Sequence, residues 1–215
     1  MTAVEQQSTA RLDEGLERLG IEVDSRQREQ LLGLLGLLHK WNRAYNLTAI
    51  RSVEEMVPRH LLDSAAVLPH VHGPRLLDVG TGPGLPGLVL AILAPTLAVT
   101  LLDSNGKKVR FQRQAVMELG LTNVTPVQAR VEAFSGQFDQ VISRAFASLG
   151  DFVALTEPLV APGGQWLAMK GPAVESELVD LPPGIEPVER YELAVPFDVG
   201  NRLLVRLERR ESALA

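Results

Sequence analysis

The chain has 215 residues, 46% hydrophobic and 22% charged, with a net charge of −5 and no cysteine. That length can bury a substantial core, while the missing thiols exclude disulfides, zinc ribbons and a cysteine nucleophile. The acidic balance excludes a surface coated in basic charge, so any nucleic acid must be met by a local patch. The longest apolar runs are broken by Gly, Pro or charge, and MTAVEQQSTA lacks the basic start and apolar stretch of a secretory signal. A cytoplasmic protein with no membrane partner is expected.

Residues 1–72 read as a helical extension. Leu12, Leu16 and Leu19 recur at spacings of four and three, with Gly20 to end the helix. Ser25 is the cap candidate of a second helix, apolar nearly all round from Leu31 to Leu38 and therefore expected to be sandwiched. Ser52 and Glu55 have capping-box spacing, and Pro58 predicts a break or kink in the helix they start.

Residues 73–215 change rhythm. RLLDVG, AVTLLDS, NVTPVQAR, FDQVISR and GGQWLAMKG read as strands. LPGLVLAIL, NGKKVRFQRQAVMELG and LGDFVALTEPLV, between them, read as helices. After a proline-rich connection at 181–187, PVERYELAV and NRLLVRLER alternate like an antiparallel pair. Strand–helix alternation with short connections predicts an α/β fold, a mainly parallel sheet covered on both faces.

The first strand runs into DVGTGPGLPG, residues 78–87, where ligands of open α/β sheets sit. Gly82 and Gly87 have P-loop spacing, but Leu88 and Val89 replace its lysine and hydroxyl. A dinucleotide fingerprint would need glycine where Leu85 stands, which disfavours a nicotinamide enzyme. What remains is acid-x-Gly-x-Gly-x-Gly at Asp78, Gly80, Gly82 and Gly84, which resembles motif I of S-adenosylmethionine-dependent methyltransferases. That cofactor has no phosphates; Asp78 suits its ammonium, directly or through water, and free N–H groups near a helix start suit its carboxylate. Gly80 allows close approach. Asp103, beside Ser104 at the end of the second strand, is placed to take ribose hydroxyls, with a helix N-cap as its alternative.

Without a cysteine, methylation at pyrimidine C5 is disfavoured. The Asn/Asp-Pro-Pro-aromatic motif of amine methylation is missing where ISRAFASL stands. A nucleophile that needs neither covalent help nor deprotonation fits best. HKWNRAYNLT (39–48), RHLLDS (59–64), the glycine loop, LLDS, GKKVRF (106–111), ISRAFASL (142–149) and MKG (169–171) together resemble the bacterial 16S ribosomal RNA N7-guanine methyltransferase G family. This family was formerly called glucose-inhibited division protein B. The resemblance implies a class I methyltransferase fold, a seven-stranded sheet with one antiparallel terminal strand. It implies methyl transfer from S-adenosylmethionine to N7 of a guanine in 16S ribosomal RNA, free or within the small subunit. Cofactor contacts implied by it fall on Gly80, Leu85, Val131, Glu132 and Arg144. Another RNA, a protein or a small molecule is the alternative acceptor.

Guanine N7 has an in-plane lone pair, so positioning rather than acid–base chemistry is expected to supply the rate, with no catalytic dyad. Arg144 is the leading site candidate, able to hold the cofactor carboxylate, guanine O6 or a phosphate; its alternative is a surface ion pair. Lys170 touches substrate or merely ends a strand. Glu132 is a ligand or a solvated acid. For RNA, Lys40, Arg43, Arg51 and Arg59 in the helical part are expected to make one basic face jointly with part of the group Lys107, Lys108, Arg110 and Arg113 after Asp103. That group spreads around its helix, so at least half of it is simply solvated. Acids from Glu175 to Glu192 mark a face turned away from it. Trp41 and Tyr45 could stack on bases, but sealing the helices onto the sheet is the preferred reading. His70-x-His72 lacks the further ligands of a metal site, so no metal is expected. A monomer is expected.

Overall fold

Each central strand sends alternate side chains to opposite faces, and both faces are apolar. Leu76, Ile142, Leu167 and Leu204 enter one buried cluster; Leu77, Val141, Trp166 and Val205 enter the other. This is the pattern of a sheet covered on both sides. The structure, a computed structural model, describes residues 3–144, 146 and 148–210.

The helices before the sheet are α1 (Ala3–Arg18), α2 (Ser25–Tyr45), α3 (Val53–Met56), a π-helical turn (Val57–Leu62) and α4 (Asp63–Ala65). Next come β1 (Arg75–Val79), α5 (Gly87–Leu93), β2 (Ala98–Asp103), α6 (Gly106–Glu118), β3 (Val124–Gln128) and β4 (Phe138–Ser143). The chain continues with α7 (Leu149–Thr156), β5 (Val160–Lys170), α8 (Val174–Glu177), β6 (Ile185–Leu193) and β7 (Arg202–Arg209). The sheet order is β3-β2-β1-β4-β5-β7-β6, with β7 antiparallel to both its neighbours and the first five strands parallel. The expected seven-stranded, mainly parallel sheet is therefore present.

The helical part shares the core of one sheet face. Leu12 and Leu16 of α1 and Leu31, Leu34, Leu35 and Leu38 of α2 join Leu88, Leu101, Phe111 and Leu204 in a single cluster. Gly15 lets α1 lie against Leu62, which a Cβ there would strike.

Three local expectations are corrected. Asp24, not Ser25, caps α2: its carboxylate accepts from the Gln27 N–H at 2.7 Å, and the Gln27 side chain accepts from the Asp24 N–H at 3.0 Å. Acidic Asp with Gln three residues on completes a capping box that Ser25 cannot. Ser52 makes no side-chain cap bond. The interruption expected at Pro58 is present: α3 ends at Met56, and Pro58 sits at the start of the π-helical turn, whose wider i→i+5 register accommodates it. Moreover, α2 is not sandwiched: Leu32 and Leu37 are half-buried and Gly36 is exposed.

Candidate active site

At the carboxyl ends of β1 and β2, Gly80, Asp103, Ser104, Lys108, Val131, Glu132 and Phe146 line a cavity of about 360 Å³. Gly80 has φ +64°, and a Cβ there would meet nothing within 4 Å, so this backbone faces open space. Val131 and Glu132 lie on a 3₁₀ turn just after β3. Residues from Gly80 to Phe146 thus meet because parallel strands end on one edge.

The acids divide their labour. Asp103 accepts from the Gly82 N–H and from the Asn105 N–H, both at 2.8 Å. It does not cap α6, because Asn105 does, accepting from the N–H groups of Lys107 and Lys108. An ionised carboxylate has about four acceptor positions, so Asp103 keeps capacity for hydroxyl donors.

Asp78 is fully buried and is not among the residues lining this cavity. Its Oδ2 accepts from the Thr81 O–H at 2.6 Å and the Gly87 N–H at 2.8 Å, tying β1, the loop and α5 together. Burial pushes its pKa up to about 7 against those two hydrogen bonds and the charge of Arg144. Through Oδ2, Asp78 thus shapes the loop from beneath.

The loop's own donors are also spent. Gly80 and Thr81 N–H donate to the Leu102 carbonyl, Gly82 N–H to Asp103, and Gly84 and Leu85 N–H to the Thr81 carbonyl. Pro83 has none. The expected free N–H cradle for a carboxylate is therefore not formed. Gly82, Gly84 and Leu85 are buried and do not line the cavity. Gly84 serves packing, since a Cβ there would strike Leu88. Gln112, which the motifs do not single out, is fully buried and donates to the Gly82 carbonyl at 2.6 Å.

A second cavity of about 320 Å³ lies between the helices and the ends of β4, β5 and β7, with Arg59, His60, Asp63, Arg144, Lys170 and Arg202 on its walls. Asp78 pairs with Ile142 across β1 and β4, and Arg144 follows just past the end of β4. Arg144 Nη1 donates to Asp63 Oδ2 at 3.2 Å and to the Arg59 carbonyl at 3.4 Å. Asp63, whose side chain is 4% exposed, also accepts from Arg202 Nε at 3.2 Å. Burial raises its pKa against the pull of the two guanidiniums. Burial, aided by Arg144, lowers His60 to about 3, so its ring is neutral near pH 7. The ring nitrogens lie 3.0 Å from the Arg59 carbonyl and 2.8 Å from Thr48 Oγ1, which assigns Nδ1 as donor and Nε2 as acceptor.

HKWNRAYNLT supports this wall. Asn42 accepts from the Thr48 N–H and donates to the Ile50 carbonyl, both at 2.9 Å. Trp41 stacks on Tyr45 and meets the edge of Phe111 in α6, the expected sealing role. Lys170 Nζ bonds Glu177 at 2.8 Å and the Phe146 carbonyl at 3.1 Å, and Glu177 also accepts from the Leu149 N–H. Lys170 thus holds the segment between β4 and α7. Glu177, expected on a remote face, reaches the rim of this cavity through Lys170. The parts of ISRAFASL at 145 and 147 lie outside the described residues.

Lys40, Arg43, Arg51, Arg59 and Lys107 are exposed. Arg51 donates to Asn46, and Arg59 lies 3.8 Å from Glu55. Lys108 is half-buried and lines the first cavity rather than facing outward. His70 packs its ring on Tyr191. Motif reading assigns no role to Asp63, His60 or Arg202. The available signal is a lone acid inside the apolar run LLDSAAV, since a buried charge requires a partner.

The 3-2-1-4-5-7-6 sheet with one reversed strand, its glycine turn after β1 and its acid at the end of β2 define a class I S-adenosylmethionine-dependent methyltransferase. A SAM-dependent methyltransferase from Aquifex aeolicus has this fold, with TM-score 0.54 and 20% identity over 68% of this chain and 89% of that one. The family model described as rRNA small subunit methyltransferase G matches residues 27–204. Ribosomal RNA small subunit methyltransferase G of Chromohalobacter salexigens is 68% identical over 93% of this chain and 97% of its own. The Serratia proteamaculans protein of that name is 54% identical over 92% and 98%. The chain belongs to the rRNA small subunit methyltransferase G family, enzymes that methylate 16S ribosomal RNA with S-adenosylmethionine.

Proposed function

We propose that this chain methylates N7 of one guanine in 16S ribosomal RNA, holding S-adenosylmethionine across the Gly80 cavity with Arg144 at its amino-acid end. The observation that carries the reading is the convergence of Gly80, Asp103, Ser104, Val131 and Glu132 on one cavity, with Arg144 just past the end of β4, the strand next to β1. The volume falls within the ~300–1,000 Å³ usual for small-molecule sites.

The bound cofactor supplies an electrophilic sulfonium methyl whose transfer leaves a neutral thioether. Asp103 would accept from ribose hydroxyls, and Val131 and Glu132 would border the adenine. Since the loop N–H groups are spent, the carboxylate is assigned to Arg144, just past the end of β4. The ionisable groups of the second cavity are committed: His60 uses both ring nitrogens, Asp63 both oxygens, and Lys170 is tied to Glu177. Such a site can orient an acceptor but offers no ready proton shuttle, which suits guanine N7.

The RNA path would be a basic strip. Trp41 of α2 meets Phe111 of α6, and the exposed Lys40 and Arg43 of the one helix with Lys107, Arg110 and Arg113 of the other supply the strip's charge. No acid occurs from His39 to Asn46 or from Gly106 to Met117. No helix of the described residues is long and apolar enough to cross a membrane. The reading is a monomer acting in the cytoplasm without a metal.

The test supplies labelled S-adenosylmethionine and small subunits from a strain lacking this protein, then maps N7-methylguanine by borohydride–aniline cleavage. One new cleavage, lost in Arg144→Ala, is expected. Transfer to protein or to another RNA position would refute the assignment.

A further inference from the structure

We propose that Asp63 is a positioning residue that aims Arg144 at the cofactor carboxylate, so that the helices before the sheet complete the cofactor site. The proposal rests on the reading of Arg144 given above.

Arg144 makes both its hydrogen bonds through Nη1, to Asp63 and to the Arg59 carbonyl. Its Nε and Nη2 have no protein partner among the described residues. These two donors form the side-on fork of a guanidinium, matched to a carboxylate by two parallel hydrogen bonds. Arg144 lies just past the end of β4, and a long side chain there has many rotamers to lose. Anchoring Nη1 at two points removes that freedom before a ligand arrives, and pre-organisation of this kind converts into affinity.

Asp63 is itself held on both oxygens. Its second oxygen is taken by Arg202, which also bonds Asp198 at 3.1 Å. The acid stands where the π-helical turn passes into α4, and Arg59 within that turn supplies the second anchor. Both anchors therefore come from the helical part, while Arg144 comes from the sheet. A buried ion pair that merely fastened the helices to the sheet would affect every ligand alike. An aiming device affects only ligands that carry the carboxylate.

Calorimetric titration of the full chain with S-adenosylmethionine and with its decarboxylated analogue separates the two. Asp63→Asn keeps the size of the side chain and loses the charge; Asp63→Glu is read in the same way if the first variant does not fold. The expected result is a loss of affinity for S-adenosylmethionine of about tenfold, as for a charge-assisted hydrogen bond, with the analogue changed less than about twofold. In an Arg144→Ala background, Asp63→Asn should then add nothing. Equal weakening of both ligands would overturn the proposal in favour of a structural staple. Discrimination by Arg144→Ala but no effect of Asp63→Asn would overturn it while leaving Arg144 in place. Equal treatment of both ligands by Arg144→Ala would remove the reading on which it rests.

Discussion

Replacing Asp78 with asparagine should change how stability depends on pH, and the size follows from burial. The carboxyl ordinarily titrates near 3.8, but in the folded chain it is pushed up to about 7. Between those values the folded chain keeps the proton that the unfolded chain has released, so stability falls as pH rises through this window and goes on falling above pH 7 only until the folded form has ionised as well. At ~1.4 kcal/mol per pH unit, about 3 kcal/mol of it is lost between pH 5 and pH 8. The replacing amide cannot ionise, and its oxygen can still accept from Thr81 and Gly87. Any fixed cost of the substitution is the same at every pH, and the titration of Asp63 is common to both proteins. Thermal melts of the two proteins from pH 5 to pH 8 provide the assay. The Tm of Asp78→Asn should gain on wild type by ~6–12 °C across that range, at ~2–4 °C per kcal/mol for a chain of this size. Parallel curves would refute the argument, because they would mean that Asp78 is ionised in the fold at no cost.

The loop glycines should separate into two kinds. In Gly87→Ala the new Cβ lies 2.9 Å from Asp78 Oδ2 and strikes Leu101, so overpacking should cost ~1–3 kcal/mol by denaturant titration. In Gly80→Ala nothing is struck, and strain at φ +64° should cost only ~1 kcal/mol, while cofactor affinity falls sharply in a binding titration. Charge reversal at Lys107 and Arg110 should raise KM for small subunits with cofactor affinity unchanged. The slope of log affinity against log salt should flatten by ~0.7–0.9 for each phosphate that is no longer neutralised.

The order of elements, both faces of the sheet and the place of the glycine turn were legible in the sequence, because period-two and helical spacings and left-handed glycines are local properties. Leu76 beside Leu77 already says that β1 is buried on both sides, and Asp103 declares itself by ending an apolar strand. Local pattern could not decide which way each polar group in the loop would turn. Only the fold shows that Asp78 Oδ2 ties Thr81 to Gly87, and free N–H groups read as a cradle until Leu102 and Asp103 take them. Likewise, only the packing of helices against strand ends joins Asp63 to Arg144 and to Arg202, 81 and 139 positions away. Spacing along the chain carries the class of chemistry, whereas the aim of a side chain depends on which distant groups compete for its hydrogen bonds, and that is settled only by burial.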